Sequence, residues 1–264
     1  MRRFILIFAF SFIFLSSSSI FAQEKTSDQY YQDLLVNYRY YQTLIEPFKT
    51  TRSRNQTYNT VTTKSELLES SKKLISSEIE AMMSYSLFIK TLLAEATKVI
   101  NYHENYFYIR LDDEVTFLSV SKERNGNLTS LEQADALVKD LSDHYQKISQ
   151  IGYQVKALIY LGSINKIYEN LKIDKDKLDN LLTENSSNEA KLWQINAARE
   201  KFSDTNKIMD EADKLLTQAS NTQKTEVHDN QKGISEQISN LVGQAVVKVD
   251  QIIVGYKNIV YSLK

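Results

Sequence analysis

The chain has 264 residues, 32 basic and 33 acidic, with six glycines, one proline and no cysteine. So few turn-formers exclude the many tight connections of a sheet protein, and balanced charge gives no support to a polyanion partner. The missing cysteine excludes disulfides, a lipid-modified cysteine and thiolate metal sites.

Residues 1–22 read as a secretory signal. Arg2 and Arg3 give a basic start, Phe4 to Leu15 is apolar except for Ser11, and four serines precede Ile20-Phe21-Ala22. Ala22 suits cleavage before Gln23, although Ile20 is larger than the small-residue pattern prefers. The alternative is an uncleaved N-terminal membrane anchor, because Phe4 to Ala22 approaches the ~20 residues that a span needs. Cleavage removes Arg2 and Arg3 and takes the net charge from −1 to −3. The expected location is periplasmic, cell-surface or secreted.

The remainder, 23–264, reads as one helical bundle. Tyr31, Leu34, Tyr38, Tyr41, Ile45 and Phe48 recur at spacings of 3, 4, 3, 4 and 3, one stripe of a helix. Pro47 and the polar run after it predict a break over 50–63. A second stripe, Ile75, Ile79, Met82, Ser86, Ile89, Leu93, Ala96, Ile100, His103 and Phe107, alternates 4 and 3 as a coiled-coil seam does. From 106 to 120 aromatic and β-branched residues crowd in, and an interruption is expected, near 106–113 above all.

Asn125-Gly126-Asn127 predicts the next break, at 125–128. Thr129 to Glu132 follows as a candidate capping box. The stripe Leu131, Ala134, Val138, Leu141, Tyr145, Ile148, Gly152, Val155, Ile159 and Gly162 then drifts on to Leu171. A helix over 130–172 would be roughly 65 Å long. A polar break is expected at 184–188, then a helix carrying Leu192, Ile195, Phe202, Met209, Ala212 and Leu216, then a hinge over 217–233, with a solvated helix there as the alternative. Ile238, Val242, Ala245, Val249, Ile252, Tyr256, Ile259 and Leu263 form the last stripe. The fold class predicted is all-α: an elongated up-and-down bundle or coiled coil of about four to six long amphipathic helices.

Chemistry is harder to find. No two glycines fall at the G-x-G spacing that lets a backbone cradle phosphate. Of three histidines, His103 sits on a core stripe, His144 lies near Asp140 and Asp143, and His228 sits in a polar stretch. None belongs to H-E-x-x-H or to a Glu-x-x-His pair. Asp112, Asp113 and Glu114 lie about 100° apart on a helix, so they cannot converge as acid and base. They read as acid at a helix start, with weak binding of a hard cation as the alternative. Tyr145, Tyr153, Tyr160 and Tyr168 line one side of a helix and read as core and core-edge packing. Asn55, Asn127 and Asn185 begin N-x-S/T sequences in expected breaks. No residue is assigned a catalytic, cofactor-binding or metal-binding role.

The functional expectation is a non-catalytic spacer or interaction module that meets another protein or itself through long helical faces. No nucleic acid is expected, and membrane contact is not favoured. The alternative is a membrane-active bundle that binds or inserts into lipid, resting on the charge-poor stretches Ala81 to Ala94 and Ile238 to Tyr256. The C-terminal helix, apolar around most of its girth, is expected to be buried on most of its circumference.

Overall fold

A computed structural model describes residues 25–100, 105–185, 192–223 and 231–263. Six helices account for nearly all of these, with no strand among them: α1 Ser27–Tyr58, α2 Val61–Ile100, α3 Tyr106–Gly126, α4 Leu131–Glu184, α5 Leu192–Gln223 and α6 Gln231–Leu263. The protein is an all-α bundle. Consecutive helices run up and down. At 1.5 Å per residue the 54-residue α4 is about 80 Å long, and every other helix is arranged around it.

The N-terminal half of α4 packs against α2 and α3, with α1 lying on α2; the C-terminal half packs against α5 and α6. The core divides accordingly. Ile75, Ile79, Met82, Leu118, Leu137 and Leu141 form one buried cluster, which passes into a second around Ile89, Leu93, Leu111, Ile151 and Val155. Beyond Val155 a third takes over, joining Leu161, Ile164, Tyr168 and Leu171 of α4 to the buried faces of α5 and α6. Serines let α2 come close to its neighbours. Ser71 and Ser86 are buried and donate back to the carbonyls of Leu67 and Met82 at 2.8 and 2.9 Å, so their hydroxyls enter the core satisfied.

The helix ends differ from several sequence expectations. The break predicted over 50–63 shrinks to Asn59 and Thr60, because α1 continues through Pro47 to Tyr58. Interior proline costs a helical hydrogen bond, yet pairing with α2 on both sides holds the helix together. Asn59 closes it in the left-handed region at φ 45°, donating its amide to the Asn55 carbonyl. Thr60 and Thr63 then cap α2 reciprocally, each amide donating to the other's hydroxyl at 3.0 and 3.2 Å. Residues 106–120, expected as an interruption, are helical throughout α3. Burial of Leu111 and Leu118 overrides the weak helix propensity of the crowded residues.

The cap of α4 falls one residue later than Thr129. Ser130 accepts the amide of Gln133 at 3.3 Å, while the Gln133 side chain accepts the amide of Thr129 at 2.8 Å. Helix α5 continues through 217–223, within the expected hinge. Residues 1–22, expected to be a signal, lie outside the described residues, as do His103 and His228.

Candidate functional site

Most residues singled out in the sequence are taken up by packing. Asp112, Asp113 and Glu114 point three ways and do not converge. Asp112 pairs with Lys90 of α2 at 2.5 Å, and Asp113 is exposed. Glu114 is buried, with its Oε2 2.6 Å from Nδ1 of His144. The imidazole thus finds its carboxylate on α3, not on its own helix, where Asp140 is taken by Arg124 at 3.1 Å. Phe117 stacks flat on the same imidazole, with centroids 3.4 Å apart and planes 8° apart. This is a clasp between α3 and α4. Among the described residues no three His, Asp or Glu side chains gather where they could hold a metal ion. Asn55 lies inside α1, where its side-chain oxygen accepts from Thr63 at 3.1 Å, and not in a loop.

The tyrosine ladder of α4 splits among three environments. Tyr168 is buried in the C-terminal core and donates to the Met209 carbonyl at 3.0 Å. Tyr160 is exposed, with Lys156 Nζ 5.7 Å from its ring centre. Tyr145 and Tyr153 line a half-open groove of about 470 Å³ that the sequence did not disclose.

Three helices build this groove. Its floor is α2, through Glu78, Ala81, Met82 and Tyr85; one wall is α1, through Leu34, Tyr38 and Tyr41; the other is α4, through Tyr145, Ile148, Ser149 and Tyr153. Five of these eleven residues are tyrosine, and Glu78 is the only carboxylate or formal charge in the lining. Tyr38 and Tyr41 are one turn apart, and their rings stack with centroids 6.4 Å apart. Tyr85 can lie across α4 because Gly152 faces it. A Cβ there would collide with the Tyr85 hydroxyl and come within 3.0 Å of Ile89.

The electrostatics of the groove follow from partial burial. Burial pushes the Glu78 carboxyl above the usual carboxylate range. Burial first, then the neighbouring Glu78 and Tyr38, pushes the Tyr41 hydroxyl up. Tyr85 is raised by burial and then by Tyr153 and Tyr145. Neither Glu78 nor any of the five hydroxyls makes a hydrogen bond or ion pair with a described residue. Small-molecule sites have this form: a concave apolar lining, a few hundred Å³, and a few polar groups aimed inward.

A second surface lies at the other end of the molecule. One face of α6 is buried against α4 and α5 through Ile238, Val242, Ala245, Val249, Ile252, Tyr256 and Ile259. Val246, Val247, Val254, Val260 and Tyr261 are exposed, which corrects the expectation that this helix is buried on most of its circumference. Two neighbours cover one face and no more. Gly243 lies on the exposed side, where an added Cβ would meet nothing within 4 Å, and Asp250 and Lys257 lie among the valines.

Comparison of the chain with protein-family models, with curated proteins and with solved structures finds no match to any.

Proposed function

We propose that the protein is an exported, non-catalytic helical module that acts by pairing helix faces, its first partner being a second copy of itself. The uncovered face of α6 carries this reading. Gly243, Val247, Asp250, Val254, Lys257 and Tyr261 follow one another at steps of 4, 3, 4, 3 and 4, the repeat of a coiled-coil seam.

The seam is self-complementary in the antiparallel sense. A two-fold axis near residue 252 sets Tyr261 of one copy over the open Gly243 of the other. It also brings Asp250 within one turn of Lys257 across the seam, twice over. Such an isologous contact closes a dimer and cannot propagate into a fibre. Export rests on the basic start, apolar run and Ala22 of the leader, and N-terminal sequencing of exported material should begin at Gln23.

The membrane-active alternative draws on Ala81 to Ala94 and Ile238 to Tyr256. Met82, Ile89 and Leu93 in the first, and Val242, Val249 and Ile252 in the second, are already core residues. Among the described residues no helix is long and apolar enough to cross a membrane.

Sedimentation velocity over a micromolar concentration series tests the proposal. A reversible dimer is expected. Asp250→Lys should weaken it at least tenfold by facing like charges, and adding Lys257→Asp in the same chain should restore it. A monomer at all concentrations, or association indifferent to both substitutions, overturns the pairing. Leakage of anionic liposomes would favour the membrane reading instead.

A further inference from the structure

The groove between α1 and α4 is separate from the α6 face and has chemistry of its own. The geometry points to a binding site for a small organic ammonium ion with alkyl groups on nitrogen, held by the ring faces of Tyr41, Tyr85 and Tyr153 and by the carboxylate of Glu78.

Three observations support a cation over a neutral or anionic ligand. First, the π faces of tyrosine rings carry partial negative charge and attract a cation within about 6 Å of the ring centre. The groove draws such rings from three helices. Second, Glu78 is the only formal charge in the lining, and no lysine, arginine or histidine stands beside it to neutralise it. A half-buried carboxylate without a partner costs free energy that a bound cation returns. Third, apart from Ser149 the rest of the lining is apolar: Leu34, Ala81, Met82 and Ile148. A compact hydrated metal ion would have to shed water against these apolar groups, with a single anionic ligand and a few neutral hydroxyls in return. An alkylated ammonium ion holds its water weakly and presents methyl groups to the same surfaces.

The site also has built-in positioning. Asn37 donates to Ser84 at 2.8 Å, and Tyr31 packs on Phe88 with ring centres 5.4 Å apart, so α1 is fixed against α2 both among its groove residues and just before them. Gly152 fixes the opposite wall by admitting Tyr85. The rings on the two walls are therefore held apart across the α2 floor and leave space for a guest.

Calorimetric titration of the full chain with choline tests the inference, with 3,3-dimethylbutan-1-ol as a neutral probe of the same shape. Choline should bind at least tenfold more tightly than the alcohol, a difference of about 1.4 kcal/mol. Glu78→Gln should remove that preference without lowering the melting temperature. Tyr41→Phe keeps the ring and should retain binding, whereas Tyr41→Leu should weaken it severalfold. Phosphatidylcholine vesicles at the same choline concentration separate a lipid headgroup from the free ion. The free ion should bind and the vesicles should not. Equal binding of choline and the alcohol, binding of neutral sugars in place of either, a preference unchanged in Glu78→Gln, or capture of the vesicles alone each overturns it.

Discussion

Both carboxylate oxygens of Glu95 are engaged by Ser27, one by its amide at 2.8 Å and the other by its hydroxyl at 2.5 Å. The contact joins the first residue of α1 to the far end of α2, and it places a negative charge at a helix N-terminus, where the helix dipole favours it. It matters because Ser27 is the only buried residue of α1. The Ser27 hydroxyl, and then its amide, hold the Glu95 carboxyl below the usual carboxylate range. A lowered folded-state pKa means that the stabilisation is present above the unfolded value and is lost as pH falls through the folded one. Glu95→Ala should therefore loosen the start of α1 at neutral pH by about 1 kcal/mol, as loss of a helix cap does. Hydrogen exchange should show faster labelling over residues 27–40 and unchanged protection at Leu137 and Leu141. Acidification of the parent protein should have the same local effect.

Gly162 and Gly243 should respond oppositely to alanine. A helical Gly→Ala change gains up to about 1 kcal/mol where space allows. Within one chain a Cβ at Gly243 meets nothing within 4 Å, so Gly243→Ala should raise the melting temperature at concentrations where the protein is monomeric. At Gly162 it would lie 2.6 Å from Cβ and Cγ2 of Ile100 and 3.0 Å from its Cα. Backbone cannot swing aside as a side-chain tip can, so α2 and α4 must separate. Overpacking costs about 1–3 kcal/mol, which outweighs the propensity gain, and Gly162→Ala should lower the melting temperature. Thermal melts of the two variants decide it.

The same comparison shows what the sequence could and could not disclose. The stripes of α2 and α6 were legible over most of their length: Ile75, Ile79, Met82, Ser86, Ile89 and Leu93 are buried, as are Ile238 to Ile259 of the last stripe. Ala96, Ile100 and Leu263 are only half-buried, and Phe107 belongs to α3. In α4 the periodicity was real but the face drifted. Val138 and Tyr145 are exposed, while Leu137, Ile151 and Ile164 are buried. A helix that passes from α2 and α3 to α5 and α6 must turn its core face, and a single stripe assumes one neighbour. The ladder tyrosines Tyr145 and Tyr153 were visible, but not their joining with Tyr41, Tyr85 and Glu78. That depends on the relative register of three helices, which local periodicity does not encode.

Tyr256 links the C-terminal core to alkaline pH. Its hydroxyl donates to the Met209 sulfur at 3.3 Å, and burial, followed by Asp174 and Asp176, pushes it up to about 12. Tyr168 is also pushed up, by burial first and then by Asp213. A raised folded-state pKa contributes stability that is present below the unfolded value near 10 and lost as pH rises through the folded one. Tyrosinate absorbance should therefore show a minority of the 16 tyrosines lagging the rest. Helicity of α5 and α6 should fall as these last groups ionise. Tyr256→Phe should remove part of the lag while costing about 1 kcal/mol or less, the worth of one weak hydrogen bond. A single titration near pH 10 with helicity intact beyond pH 12 would refute the assignment.

Removal of α6 tests whether the two ends of α4 hold independent cores. Its buried face supplies Ile238, Val242, Ala245, Val249, Ile252, Tyr256 and Ile259 to the C-terminal cluster, and α4 makes more of its packing with α6 than with α5. Each Val or Ile that returns to water forfeits about 1.5–3 kcal/mol, so the five of them are worth about as much as the roughly 5–15 kcal/mol by which a whole domain is stable. No residue of α5 or α6 enters the two N-terminal clusters, which end at Val155. A chain truncated after Lys232 should thus lose ordered helix over 157–223 while 61–155 keeps its protection from hydrogen exchange. Circular dichroism should show a partial loss of helix, and a melt of what remains should still be cooperative. An unchanged melting temperature would mean that α6 is not part of the core. Complete unfolding would mean that α4 couples its two ends into one cooperative unit.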